Sequence, residues 1–309
     1  VDFEDSQLGP RHPTREGFDL IPMWVADMNF PTVPTVMERM AQRLKHPLFG
    51  YFNPRQEYFD SIISWQSRRN GVEGLKPENI GYVNGVLGGV VSIANVLCSK
   101  GDKILVHAPT YVGFTHALVN NGYELVHTYL QKDEAGIWRM DYADMEKKLR
   151  EQHIHCAILC SPHNPVGRVW TKEELHAYAE ICRKYNVAVI CDEIHADFVF
   201  KGHKHIPFAS VSKDAADRSV TCTAPSKTFN IAGLQTSNIL IPNESIRNKF
   251  KAVLDSFGYE RPNVMGIIAA EAAYRGGEEW LAAVWEYIEN NLAFTKKFLA
   301  GRLPKMKLI

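Results

Sequence analysis

Four polar stretches of this 309-residue chain hold side chains that could do chemistry together. In 221-TCTAPSKTFNIAGLQ-235 a strand-like run ends and Ser226 and Lys227 follow at once. Ligand sites of open α/β sheets lie beyond the carboxyl ends of their strands. A lysine held there and partly desolvated loses proton affinity and becomes a nucleophile toward carbonyl groups. Taken alone, a solvated loop lysine is the simpler reading. In 190-ICDEIHADF-198, Asp192 ends a second apolar run. A carboxylate buried there is costly unless a cation faces it, and a protonated pyridine nitrogen is such a cation. An acid that caps a helix or pairs with an arginine is the plain alternative. In 161-SPHNPVGRVW-170, Asn164 could donate to a phenolate-like oxygen, although Asn-Pro is also common turn chemistry. In 83-VNGVLGGV-90, glycines open a helix, and the free N–H groups of a helix start suit a phosphate.

The elements around these residues alternate. Helical patterns cover 35–45, 56–70, 86–98 and 173–186, the last with Thr171 and Glu174 as a capping box and Asn186 where a helix can stop. Strand candidates fall at 103–108, 123–130, 156–160, 187–192, 219–224 and 237–242. Several lack the polar alternation of a half-exposed sheet, so they read as strands buried on both faces. The expected fold class is therefore α/β, with a mostly parallel central sheet flanked by helices. After Asn243 the chain turns helical, with 263–274 and a long stretch over 278–303 of the kind that bridges two domains. The expected organisation is an N-terminal arm over 1–34, a large domain over 35–275, and an interdomain helix with the start of a smaller domain over 276–309. The ending 304-PKMKLI-309 reads like the beginning of a strand, which suggests that part of the native protein lies beyond it.

Composition narrows the partners. Lys plus Arg equals Asp plus Glu at 35 each, so no charge excess calls for nucleic acid or an anionic membrane. No apolar run is long enough to span a bilayer, and the polar first nineteen residues lack a signal-peptide core, so a cytoplasmic protein is expected. The six cysteines form no CxxC pair and read as buried reduced thiols, not disulfides or metal ligands. No metal is expected. His203 and His205 read as solvated loop residues, His153 and His155 as strand caps, Arg168 as an ion-pair partner, and Trp280 and Trp285 as packing residues.

The order of the motifs says more than any one of them. Gly-rich helix start, Pro-Thr-Tyr turn, Asn-Pro-x-Gly, Asp-Glu and Ser-Lys resemble the fold-type I pyridoxal-phosphate enzymes at 84–89, 108–111, 161–167, 191–195 and 224–233. The strings 22-PMWVADMNFP-31, 49-FGYFNP-54, 192-DEIHADFVF-200, 203-HKHIPFAS-210 and 225-PSKTFNIAGLQ-235 resemble the MalY/PatB-type cystathionine β-lyases, over nearly the whole chain. Gln235 stands where many aminotransferases have Arg, His195 where many have Tyr, and Ala224 where a phosphate-binding Ser is common.

The resemblance implies a lyase that takes cystathionine or cysteine S-conjugates to a thiol, pyruvate and ammonia, with pyridoxal 5′-phosphate as cofactor and an amino acid as substrate. It implies Lys227 as the Schiff-base residue and general base, and Asp192 opposite the ring nitrogen. Tyr111 would stack on the ring, Asn164 would bond the 3′-oxygen, and His195 would lie near the same edge. Gly85, Val86, Leu87 and Ser226 would hold the phosphate. Tyr51 would reach the neighbouring subunit's cofactor, implying a homodimer. The arginine that binds the substrate carboxylate is expected beyond Ile309, with Arg261 and Arg275 as weaker alternatives. An aminotransferase, or a regulator that keeps the fold, are the alternative functions.

Overall fold

The structure, a computed structural model, describes residues 17, 25–258, 262–306 and 308. Most of the arm 1–34, and Arg261, lie outside the described residues.

Among the described residues two helices come first, α1 (Pro34–Leu44) and α2 (Gln56–Asn70). The chain then weaves β1 (Ile80–Val83), α3 (Gly85–Leu97), β2 (Lys103–Ala108), α4 (Val112–Asn120) and β3 (Glu124–Tyr129). A small hairpin, β4 (Gln131–Lys132) and β5 (Trp138–Arg139), leads to α5 (Tyr142–Gln152), β6 (Cys156–Cys160), α6 (Lys172–Lys184) and β7 (Ala188–Asp192). Next come α7 (Lys213–Arg218), β8 (Ser219–Thr223), the single turn α8 (Pro225–Thr228) and β9 (Ser237–Leu240). Three helices follow, α9 (Glu244–Ser256), α10 (Val264–Gly276) and α11 (Glu278–Arg302).

Among the described residues seven strands form one sheet in the order β1-β9-β8-β7-β6-β2-β3. Neighbours from β8 to β3 run parallel, and β9 is antiparallel to both β1 and β8. All six expected strands are present. The seventh, β1, escapes the pattern because IGYV offers only four residues and a glycine. Helices α4, α5 and α7 were likewise not anticipated.

The strands sort their side chains by parity. Ile104, Val106, Ile158, Cys160, Ile190, Val220 and Cys222 enter one core with α3 and α4. Leu105, Ala157, Leu159, Val189 and Cys191 enter another with α5 and α6. Apolar residues at both parities are thus what burial on two faces requires. A third core joins α1, α2 and α10 around Trp65 and Phe229. The Thr171–Glu174 capping box is present, with both reciprocal bonds made. Asn186 takes a positive φ of 52° just past α6. All six cysteines are free and five are buried.

Candidate active site

Strand direction decides which residues meet. Because β2, β6, β7 and β8 run parallel, their carboxyl ends lie along one edge of the sheet. Two antiparallel steps through β9 bring the end of β1 to the same edge. Five of the singled-out segments lie at these strand ends: Gly85–Leu87 after β1, Tyr111 after β2, Asn164 after β6, Asp192 as the last residue of β7 with His195 just beyond it, and Ser226 with Lys227 after β8.

Register fixes the centre of this mouth. Cys160 pairs with Asp192, and Asp192 with Cys222, across three adjacent strands. The ladder runs one rung further, since the Ser161 N–H donates to Asp192 O at 2.9 Å and the Glu193 N–H to Cys222 O at 3.0 Å. Asp192 is 4% exposed. Its Oδ1 accepts from the Ile194 N–H at 3.1 Å, and among the described residues no cation pairs with it. Burial pushes its carboxyl up to about 7, the Ile194 bond opposing and the charge of Glu193 adding. Burial, with the Lys227 charge second, drives His195 down to about 4, so its ring is neutral at pH 7 and lies within electrostatic reach of Lys227.

Lys227 sits on α8 and is half-buried, its Nζ donating to Ala26 O at 2.9 Å. The following loop is tied to residues 28–32: Asn230 Nδ2 donates to Met28 O and Phe30 O, each at 2.8 Å, and Thr32 Oγ1 to Phe229 O at 2.7 Å. The end of the expected arm thus lies against the lysine.

Helix α3 has no side-chain cap; Asn84 precedes it in an extended conformation. Gly85 has φ +76°, a region that side chains rarely adopt, and it lets the chain turn directly from β1 into α3. Gln235 faces this helix start. Its carbonyl is 2.9 Å from Tyr82 Oη, and a Cβ on Gly85 would lie 3.7 Å from its Oε1. Tyr111 packs edge-on to Phe114 at 5.4 Å between centroids. A Cβ on Gly113 would meet the Tyr111 ring at 2.3 Å and Leu87 at 3.0 Å, so this glycine makes room for the tyrosine beside α3. Asn164 is half-buried, its N–H directed at Cys160 Sγ at 3.4 Å, and its carboxamide has no partner among the described residues. Tyr51 is placed apart from this group. It is 95% exposed and lines a cleft of about 700 Å³ with Arg39, Arg43, Tyr58 and Glu271.

Several residues behave differently from their sequence reading. His205 is not a solvated loop residue. It is 3% exposed, and its Nε2 lies 2.9 Å from Glu193 Oε2, whose other oxygen accepts the Phe208 N–H at 2.9 Å. A burial of this kind has no periodic signal, since it depends on a loop folding back onto β7. His153 ends α5 in a left-handed conformation and does not cap a strand; His155 lies 3.4 Å from Asp102. Cys98, Asp102 and His155 gather ligand-type atoms within 4.8 Å of one another near the amino ends of β2 and β6, at the other end of the sheet from the mouth. Arg168 is an ion-pair residue, 2.5 Å from Glu174 Oε2. Arg275 pairs with Glu271 at 3.2 Å along α10. Trp280 packs on Phe229, and Trp285 Nε1 donates to Asp197 O at 2.9 Å.

A sheet of this topology with its polar residues at one edge defines a class of α/β proteins that bind small ligands beyond their strand ends. The aminotransferase class I and II family model matches residues 19–301, and the chain belongs to that family. Within it the chain is of the MalY/PatB type. It is 42% identical to cystathionine beta-lyase PatB of Bacillus subtilis strain 168, over 94% of this chain and 75% of that protein. It is 32% identical to protein MalY of Escherichia coli strain K12, over 93% of this chain and 73% of the other. Among solved structures it is similar to the PLP-bound C–S lyase of Staphylococcus hominis, with a TM-score of 0.86 and 36% identity over 92% of this chain and 71% of that one. Among the described residues no helix is long and apolar enough to cross a membrane.

Proposed function

We propose that the protein is a pyridoxal-phosphate-dependent carbon–sulfur β-lyase that takes cystathionine or cysteine S-conjugates to a thiol, pyruvate and ammonia. The observation that carries this reading is that Lys227 and Asp192 lie at the same edge of the sheet: a lysine within electrostatic reach of a neutral imidazole, and a buried acid with no cation among the described residues. The polar groups of the mouth match the cofactor in kind. A buried carboxyl raised to about 7 suits a protonated ring nitrogen, which would hold it ionised. A carboxamide at Asn164 without a partner among the described residues suits the 3′-oxygen. A helix start without a side-chain cap suits a phosphate.

Each residue then has a task. Lys227 would hold the cofactor and afterwards take the Cα proton of the substrate. Asp192 would keep the ring nitrogen protonated, Tyr111 would cover the ring face, and neutral His195 would flank the same edge as Asn164. The amides after Gly85, those of Val86 and Leu87, would bind the phosphate with Ser226. When bound, the cofactor supplies an electron sink for the pair left at Cα. Loss of that proton lets the Cβ–S bond break with the electrons leaving on sulfur as a thiolate; hydrolysis of the remaining three-carbon fragment gives pyruvate and ammonia.

Tyr51 would serve the neighbouring subunit of a homodimer, a reading supported by its exposure together with that of Met37, Leu48 and Phe49. The division into an arm (1–34), a cofactor-binding domain (35–275) and an interdomain segment (276–309) belongs to the same reading, as does a cytoplasmic location, which six free thiols favour. The decisive experiment gives cofactor-loaded protein L-cystathionine and follows pyruvate and free thiol. Appearance of both is expected. Turnover only when a keto acid acceptor is added would replace the lyase with an aminotransferase, and a bound cofactor with no turnover of any amino acid would favour a regulator.

A further inference from the structure

Asp197 lies on the turn that follows β7, five residues beyond Asp192, and it is 9% exposed. A carboxylate this buried needs donors, and it has them from two separate helices, while a third reaches its main-chain oxygen. Trp65 Nε1 of α2 donates to Oδ2 at 3.2 Å, and Arg69 Nε of the same helix to Oδ1 at 3.0 Å. Thr228 Oγ1 of α8 donates to Oδ2 at 2.8 Å. Trp285 of α11 reaches the Asp197 main-chain oxygen at 2.9 Å, and Arg69 continues to Glu278 at the start of α11 at 3.1 Å.

The bond from Thr228 has the most direct consequence. Thr228 is fully buried and adjoins Lys227 on α8, a helix of four residues. One turn of helix cannot hold itself in water, because nucleation fixes several residues for a single hydrogen bond. Its position must come from tertiary contacts. Phe229 supplies one, packed against Trp65, Tyr274 and Trp280. The Thr228–Asp197 bond supplies the one aimed at the turn that carries His195 and follows directly on Asp192 at the end of β7. The same short segment thus places the acid and clamps the lysine.

We infer that Asp197 is a positioning residue that, through the Thr228 hydroxyl, fixes the Lys227 turn relative to Asp192 and His195. The inference rests on the proposed role of Lys227. Asp197 itself touches no reacting atom; it acts through Thr228.

The test compares Thr228→Val, which keeps the shape and loses the donor, with Thr228→Ser, which keeps the donor. In the cofactor-loaded enzyme, the rate at which borohydride fixes cofactor irreversibly to Lys227 is measured beside the thermal midpoint. In cofactor-free protein, amide hydrogen exchange is measured over 225–230. Thr228→Val should slow fixation by about tenfold, since small misplacements at a reacting centre are costly, and should speed exchange across this segment. Thr228→Ser should return both to within about twofold of wild type. Wild-type fixation in Thr228→Val, whatever its melting temperature, would overturn the inference. If Thr228→Val does not fold, Asp197→Ala, which removes the acceptor, is read in the same assays with the same expectations. If wild type itself fixes no cofactor on Lys227, the proposed function falls, and exchange over 225–230 alone then decides for or against the anchor.

Discussion

The end of β7 and the turn after it carry three acids, Asp192, Glu193 and Asp197, and their fates differ. Glu193 points to the side of His205 and Phe208 and is satisfied at both oxygens. Asp197 points to α2 and α8 and receives Trp65, Arg69 and Thr228. Asp192 points to the mouth and has one backbone N–H and no cation among the described residues. All three are buried. Burial alone therefore does not mark function. What separates Asp192 from its neighbours is that no cation among the described residues compensates its charge, a cost that a folded chain sustains where a ligand cancels it.

The sharpest way to break this comparison is Lys227→Ala. If the mouth is the reactive region, this substitution should lower lyase turnover by about a thousandfold and abolish the visible absorbance of the bound cofactor. Retention of that band would remove the lysine from the centre of the mechanism.

Asp192 offers the next largest effect. Its carboxyl rises from the ordinary 3.8 to about 7 on burial. Folded protein thus binds a proton that unfolded protein releases between these pH values, so the group costs stability as pH climbs from about 4 to about 7, by on the order of 4 kcal/mol in all. Cofactor-free Asp192→Asn should lack this decline, seen as a flatter dependence of the urea midpoint on pH. Loading wild type with cofactor should flatten it too, because a ring cation favours the carboxylate in the folded state. A decline of equal size in wild type and variant would mean that Asp192 is compensated after all.

For the satisfied acids the expectation reverses. His205→Ala strands Glu193 and should cost about 3 kcal/mol of unfolding free energy, measured by chemical denaturation, while the cofactor spectrum stays in place. The smallest effect belongs to the helix far from the mouth. Thr171→Ala removes the α6 cap and should cost about 1 kcal/mol, with turnover unchanged.

Much of this was readable in the sequence for local reasons. The six expected strands announce themselves by short apolar runs, and α2 and α6 by periodicity and capping residues. Lys227, Asp192 and Asn164 could be singled out because each stands where an apolar run stops. The unforeseen elements are those whose signal is weak or non-local. Strand β1 is short and contains a glycine. His205 looked like a loop residue because nothing in 203-HKHIP-207 reveals that Glu193 lies against it. Asp197 lies inside 192-DEIHADFVF-200 with no local sign of a role, since its donors come from residues 65, 69 and 228.

The sequence by itself determined the alternation of strands and helices, the two-faced burial of the sheet and the identity of the groups at its strand ends, because propensity, periodicity and capping act over a few residues. Only the tertiary structure decided which acid is left without a cation among the described residues. Whether a carboxylate is compensated depends on the cation that folding brings to it from far along the chain, and that separation leaves no local trace.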